Sequence, residues 1–152
     1  MSSLPPLLVQ ALGEFQRIVG EGNAAKGFHA EGDALRNYVS EWDSDIDKKC
    51  LRRYYSEKLL LIVSEVTEAQ DELRTGHHAT ETYYNVDGEV TYNKFSLNGD
   101  GPHKPEGVPS ELADVVIRAF DLAAETGIDL AGMIAEKLAY NATRPFMHGK
   151  KF

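Results

Sequence analysis

An all-α fold of four-helix-bundle type, with a small β-hairpin inserted between two carboxylate-bearing helices, follows from three observations on this 152-residue chain. Four segments repeat apolar residues every three or four positions, the period of an amphipathic helix. The stretch 76–107 lacks that period and is far longer than an ordinary connection, so it has structure or function of its own. Two acidic pairs, Glu65-x-x-Glu68 and Glu111-x-x-Asp114, lie beside the aliphatic stripes of two of the helices.

The first helix is read over 7–19, where Leu8, Leu12, Phe15, Ile18 and Val19 share a face, with Gly20 and Gly22 expected to end it. A polar crossing follows, with a short helix around 34–42. The second principal helix covers 49–74, carrying Leu51, Tyr55, Leu59, Ile62, Val66 and Leu73 on related faces together with Glu65 and Glu68. Its run 59–63, Leu-Leu-Leu-Ile-Val, is apolar nearly all round, which predicts cover on more than one side, at a bundle centre or a subunit interface. Within the insertion, residues 82–86 and 89–92 flank Asp87-Gly88, the signature of a two-residue hairpin, and residues 99–107 read as a Gly/Pro-rich loop. A lone hairpin is marginal in water, so it is expected to pack on the helices or on another subunit. The third principal helix begins after Pro109 or Ser110, bears Glu111 and Asp114 in its first two turns, and stops at Gly127. Asp129 is placed to cap the fourth, which carries Leu130, Met133, Ile134 and Leu138 and ends before Pro145.

Length bounds this to one domain, residues 1–152, able to build a core without disulfides or structural metal. A formal charge of −8 argues against a partner that is a nucleic-acid polymer, whose phosphates need a basic face. Small nucleotides stay possible, because metals held by carboxylates reverse the local sign. Cys50 is the single cysteine, and the opening Met1-Ser2-Ser3-Leu4-Pro5-Pro6 has no basic-then-apolar leader pattern. Nothing later approaches a membrane span. A cytoplasmic protein, in the host cytoplasm if phage-encoded, is the resulting expectation.

Residues three apart on a helix share a face, so each acidic pair can offer two oxygen ligands to one site. Hard divalent cations such as Mg²⁺ and Mn²⁺ take such ligands. A single such pair is more often a solvated helix face; two pairs on successive aliphatic helices call for a positive charge between them. The fourth helix adds Lys137, Asn141 and Arg144 at i, i+4 and i+7, with His148, Lys150 and Lys151 just beyond. Cations there also complement a helix C-terminus, but beside four metal-type carboxylates they suit a metal-bound polyphosphate.

In that order, Glu65-x-x-Glu68, Glu111-Leu112-Ala113-Asp114 and Lys137-x-x-x-Asn141-x-x-Arg144 resemble the signature of the MazG-like, all-α nucleoside triphosphate pyrophosphohydrolases. The likeness runs from about Leu51 to the C-terminus, omits the hairpin, and includes the ending from Asn141 to Phe152. A compact form of this kind is similar to phage and bacterial nucleotide-pool enzymes, including the phage MazZ branch that acts on dGTP. The resemblance implies hydrolysis of a (d)NTP between the α- and β-phosphates to give (d)NMP and pyrophosphate, with a purine deoxynucleotide preferred. It implies that Glu65, Glu68, Glu111 and Asp114 ligate two or three Mg²⁺ or Mn²⁺ ions and form the catalytic set with Lys137. Lys137, Asn141, Arg144 and Lys150 would hold substrate, and a homodimer or homotetramer would complete the bundle. One departure stands out. Many members carry a further Glu immediately before the first motif Glu, where this chain has Ser64. Water activation then falls to the metal, or to Asp71 or Glu72 one turn on.

Base choice is open: Phe28, His29, Trp42 and the hairpin tyrosines can hold a base, but core or interface packing accounts for each more readily, and none identifies a base. Within the family, hydrolysis of dUTP, dCTP or phosphoribosyl-ATP remains an alternative. The ferritin-like di-iron class needs Glu-x-x-His pairs, and no histidine here has a Glu three residues before it. A non-enzymatic acidic helical interaction module predicts exposed carboxylates and no metal dependence.

Overall fold

The computed structural model describes residues 4–96 and 101–145. Among them run five helices and three short strands: α1 (Pro6–Ala25), α2 (Ala30–Trp42), α3 (Asp45–Thr75), β1 (Tyr83–Val86), β2 (Glu89–Thr91), β3 (Pro105–Glu106), α4 (Val108–Thr126) and α5 (Leu130–Ala142). The chain is thus mostly helical with a small antiparallel sheet, as the periodicity predicts. Contacts divide it into two compact units, Met1–Leu51 with Phe120–Phe152, and Arg52–Ala119.

In the first unit α1 does not stop at Gly20 and Gly22 but continues to Ala25. A Cβ added at Gly20 would lie 2.5 Å from the Cβ of Ala124, so this glycine allows a close helix approach instead of ending the helix. The packing it permits offsets the roughly 1 kcal/mol that glycine costs a helix interior. Phe15 meets Phe120 edge-to-face at 5.1 Å, and Gln16 donates from Nε2 to the Ile128 carbonyl at 2.7 Å. Asp129 caps α5 as expected, accepting from the Gly132 amide at 2.9 Å. The short helix expected at 34–42 is a full one: α2 starts at Ala30, with the His29 carbonyl receiving the Asp33 amide at 2.9 Å and with Glu31 and Asp33 in the dipole-favoured first turn. Helix α3 likewise opens at Asp45, ahead of the expected residue 49. Ser44 Oγ accepts from the Asp47 amide at 3.1 Å, an N-cap that the apolar period does not register.

In the second unit the hairpin forms where its turn signal places it. Asp87 and Gly88 take positive φ of 53° and 90°, the geometry of a type I′ turn, and Asn85 Oδ1 accepts from the Gly88 amide at 3.0 Å. The expectation for 99–107 is corrected in part: Pro105–Glu106 forms β3 and pairs antiparallel with β1, Tyr83 opposite Glu106 and Tyr84 opposite Pro105, giving the order β2-β1-β3. Covering the free edge of β1 is the physical reason, since a two-stranded ribbon is marginal alone. Gly107, at φ +98°, then turns the chain into α4. A Cβ there would sit 2.5 Å from the Glu81 carbonyl oxygen, so only bare backbone fits. Helix α4 begins at Val108, before Pro109 and Ser110, because the Gly107 carbonyl accepts from the Ser110 and Glu111 amides; Ser110 Oγ donates to the Pro105 carbonyl instead of capping.

Tyr54, Ala69 and Val108 are buried in this unit, but the apolar run of α3 is not. Leu59, Leu60 and Val63 are each more than half exposed, as are Val66 beyond them and Leu112 on α4. No helix among the described residues is long and apolar enough to cross a membrane.

Candidate metal centre

Two helices of the second unit bring the acidic pairs together. Spacing on α3 puts Glu65, Glu68 and Glu72 on one face, and spacing on α4 does the same for Glu111, Asp114 and Arg118. Ligand oxygens of Glu65, Glu111 and Asp114 all lie within 4.8 Å of one another. Glu65 and Glu111 are buried, Asp114 is half-buried, and Glu68 is exposed. The sequence treats four carboxylates as equivalent; the structure makes three a group and leaves Glu68 at its open side, close enough for its charge to act on Glu111.

Burial of this kind is expensive unless countered. The Glu111 carboxyl is pushed up to about 7, first by desolvation, then by a hydrogen bond with Glu65, then by the negative charges of Glu68 and Glu65; Lys104 pulls weakly the other way. A hydrogen bond between two carboxyls needs a proton on one of them, so the group shares a proton near neutrality. Three carboxylate oxygens that close, with a carboxyl that retains its proton near pH 7, form a donor set a hard divalent cation would fit by displacing the proton.

Two cations attend the group. Arg118 Nη2 lies 2.7 Å from Glu65 Oε1, with the arginine side chain 41% exposed and the glutamate side chain 6%. Lys104 Nζ binds Glu106 Oε2 at 2.9 Å, and its ammonium is held charged chiefly by that bond, with smaller help from the charges of Glu111 and Asp114. Sequence reading missed both. Arg118 was legible as the next step of the α4 face, four residues after Asp114; Lys104 was not, because its position depends on β3.

The hairpin is tied to the same face of α3. Tyr83 donates from its hydroxyl to Glu72 at 3.0 Å and 3.2 Å, one to each carboxylate oxygen, and stacks on His77 at 4.5 Å between ring centroids. Burial first, then the bond to Glu72 and the charges of Glu72, Glu106 and Glu111, push the phenol up to about 12. Glu81 holds Tyr92 Oη at 2.7 Å and the His78 amide at 3.1 Å, and hydrogen-bonds to His77 Nδ1 at 3.1 Å. Of the residues weighed as water activators, Glu72 is thus engaged by Tyr83, and Asp71 is exposed beside Arg74 at 3.5 Å. Ser64 Oγ donates to the Leu61 carbonyl at 2.8 Å, an ordinary helical back-bond.

The remaining sequence-predicted residues lie in the first unit. Lys137 and Asn141 are exposed on α5, Lys137 with its ammonium 5.7 Å from the Tyr140 ring centroid, while Arg144 is exposed beyond the C-cap Thr143, so the expected helical row stops short of it; Lys150 falls outside the described residues. Of the aromatics weighed for base binding, Phe28 and Trp42 are exposed, and His29 is buried against Asp121, Nε2 to Oδ1 at 2.8 Å. Comparison with protein-family models, with curated proteins and with solved structures finds no match to this chain.

Proposed function

We propose that this chain is a Mg²⁺- or Mn²⁺-dependent nucleoside triphosphate pyrophosphohydrolase of MazG-like fold, acting on a purine deoxynucleotide such as dGTP. The observation that carries the reading is the crowding of Glu65, Glu111 and Asp114 within 4.8 Å, with Glu111 held up to about 7. Structural carboxylates are normally given one cation each; like charges gathered in a buried site are what a ligand cation requires. The burial of Glu65 and Glu111 also weighs against an acidic interaction module, which needs its carboxylates in solvent.

Bound divalent cations would polarise the α-phosphate and make water nucleophilic at neutral pH. Glu65, Glu111 and Asp114 would hold them, with Glu68 joining from the open side. In the reaction the water oxygen bonds to the α-phosphorus, the bond from phosphorus to the α–β bridging oxygen breaks, pyrophosphate leaves, and the water proton passes to solvent. Phosphate holding is the role the resemblance implies for Lys137, Asn141 and Arg144, which belong to the first unit. The open row Leu59, Leu60, Val63 and Val66 supports a homo-oligomer in which a second copy covers α3, because contiguous apolar surface of this kind is rarely left in water.

The test is a panel of NTPs and dNTPs with Mg²⁺ or Mn²⁺, reading monophosphate and pyrophosphate separately. Metal-dependent release of both in equal amounts is expected; release of orthophosphate, or no turnover across the panel, would contradict the proposal.

A further inference from the structure

We propose that Arg118 is an exchanging counter-ion: its guanidinium neutralises Glu65 while no metal is bound, and moves to a substrate phosphate when a divalent cation takes that carboxylate. The inference rests on the metal-centre reading of the same group and adds a residue to it.

The geometry supports both halves. Arg118 reaches Glu65 Oε1 at 2.7 Å, and Glu65 is one of the three residues whose oxygens converge, so the arginine occupies an oxygen that a cation would want. A guanidinium carries five donors in a rigid fork, yet among the described residues the contact of Arg118 is made through Nη2. With its side chain 41% exposed while Glu65 is buried, the arginine stands partly open to solvent at the rim of the site. That is the arrangement for receiving a phosphate, since planar bidentate recognition of phosphate favours arginine. Electrostatics set the direction of the exchange. A divalent cation arriving beside Glu65 repels the guanidinium, and the phosphate it brings supplies the replacement anion. Lys104 is not equivalent, because its ammonium is already engaged by Glu106 at 2.9 Å.

The alternative role, an arginine that merely orients Glu65 as a ligand, predicts the opposite response to mutation. Mn²⁺ is titrated calorimetrically into metal-free wild type, Glu65→Gln, Arg118→Gln and Arg118→Lys, with circular dichroism in chelator to confirm the fold. Inorganic pyrophosphate is then titrated into each Mn²⁺-saturated protein. Losing the competing charge should make Mn²⁺ binding about tenfold tighter in Arg118→Gln. Losing the fork should make pyrophosphate binding about tenfold weaker. Arg118→Lys, which keeps the charge and loses the fork, should bind Mn²⁺ like wild type and pyrophosphate weakly; it decides the matter if Arg118→Gln does not fold. Unchanged or weaker Mn²⁺ binding in Arg118→Gln overturns the exchange, and unchanged pyrophosphate binding overturns the transfer to phosphate. Wild-type protein that binds no Mn²⁺, or binds it as well in Glu65→Gln, overturns the metal centre itself and this inference with it.

Discussion

The two units of this chain handle buried carboxylates in opposite ways. In the first, the buried acids lie beside a base: Asp121 faces His29 at 2.8 Å, and Glu125, its side chain fully buried, faces Arg36 at 3.3 Å, an arginine it shares with Asp33 at 2.6 Å. In the second, Glu65 and Glu111 are buried against each other and against Asp114, with one partly exposed arginine for Glu65 and a proton retained on the group. A base beside the acid makes burial tolerable and says little about function. Crowding gathers three carboxylates around an arginine and a retained proton, and a group of that kind could hold a metal ion. Composition cannot distinguish the two cases; geometry does.

Breaking these two arrangements should therefore have different consequences in the two units. The largest effect is on turnover. Asp114→Asn or Glu111→Gln should lower metal-dependent hydrolysis at least about a thousandfold, several kcal/mol being what a metal supplies, with the circular dichroism spectrum retained. Next comes breaking a matched pair: His29→Ala leaves Asp121 buried without its base and should cost about 3 kcal/mol in denaturant unfolding. A loss under about 0.5 kcal/mol, the range of ordinary surface changes, would show that the pair is not structural.

Crowding has its own signature in pH. Glu111 stands at about 7 in the folded protein against 4.5 for a glutamate free in water, so between those values the native state holds a proton that the unfolded chain has released. Stability of the metal-free protein should then fall as pH rises from about 4.5 to about 7, by roughly 2–3 kcal/mol. Unfolding in chelator across that window, wild type against Glu111→Gln, isolates the contribution; equal slopes would remove the crowding argument. Tyr83→Phe tests a carboxylate of the second unit that is satisfied by its neighbours. Loss of the hydroxyl from Glu72 should cost about 1 kcal/mol, seen as a lower melting temperature. The smallest effect belongs to Ser64, whose hydroxyl is turned to the Leu61 carbonyl. Ser64→Ala should change turnover by less than about twofold, the scale of a surface substitution.

Much of this was legible beforehand because it depends on local rules. Apolar period located the helices, Asp129 announced its cap, and Asp87-Gly88 announced its turn. Errors came where a distant residue decides. Gly20 reads as a stop until Ala124 is seen against it, and residues 105–106 read as loop until β1 offers an edge. Equal weight for Glu65, Glu68, Glu111 and Asp114 fails for the same reason, since helical spacing fixes a face but not the depth of each side chain. His29 was open between stacking and packing, and the acid that settles it lies 92 residues away.

The most direct test of the central claim is Mn²⁺ binding followed by proton release, titrated near pH 6.5 in buffers of different ionisation enthalpy. If the crowded group is a metal centre, Mn²⁺ should bind and expel a large fraction of one proton per site, since a carboxyl near 7 is mostly protonated there. Glu111→Gln should abolish that release. Failure of wild-type protein to bind Mn²⁺, or binding with no proton expelled, would contradict the account.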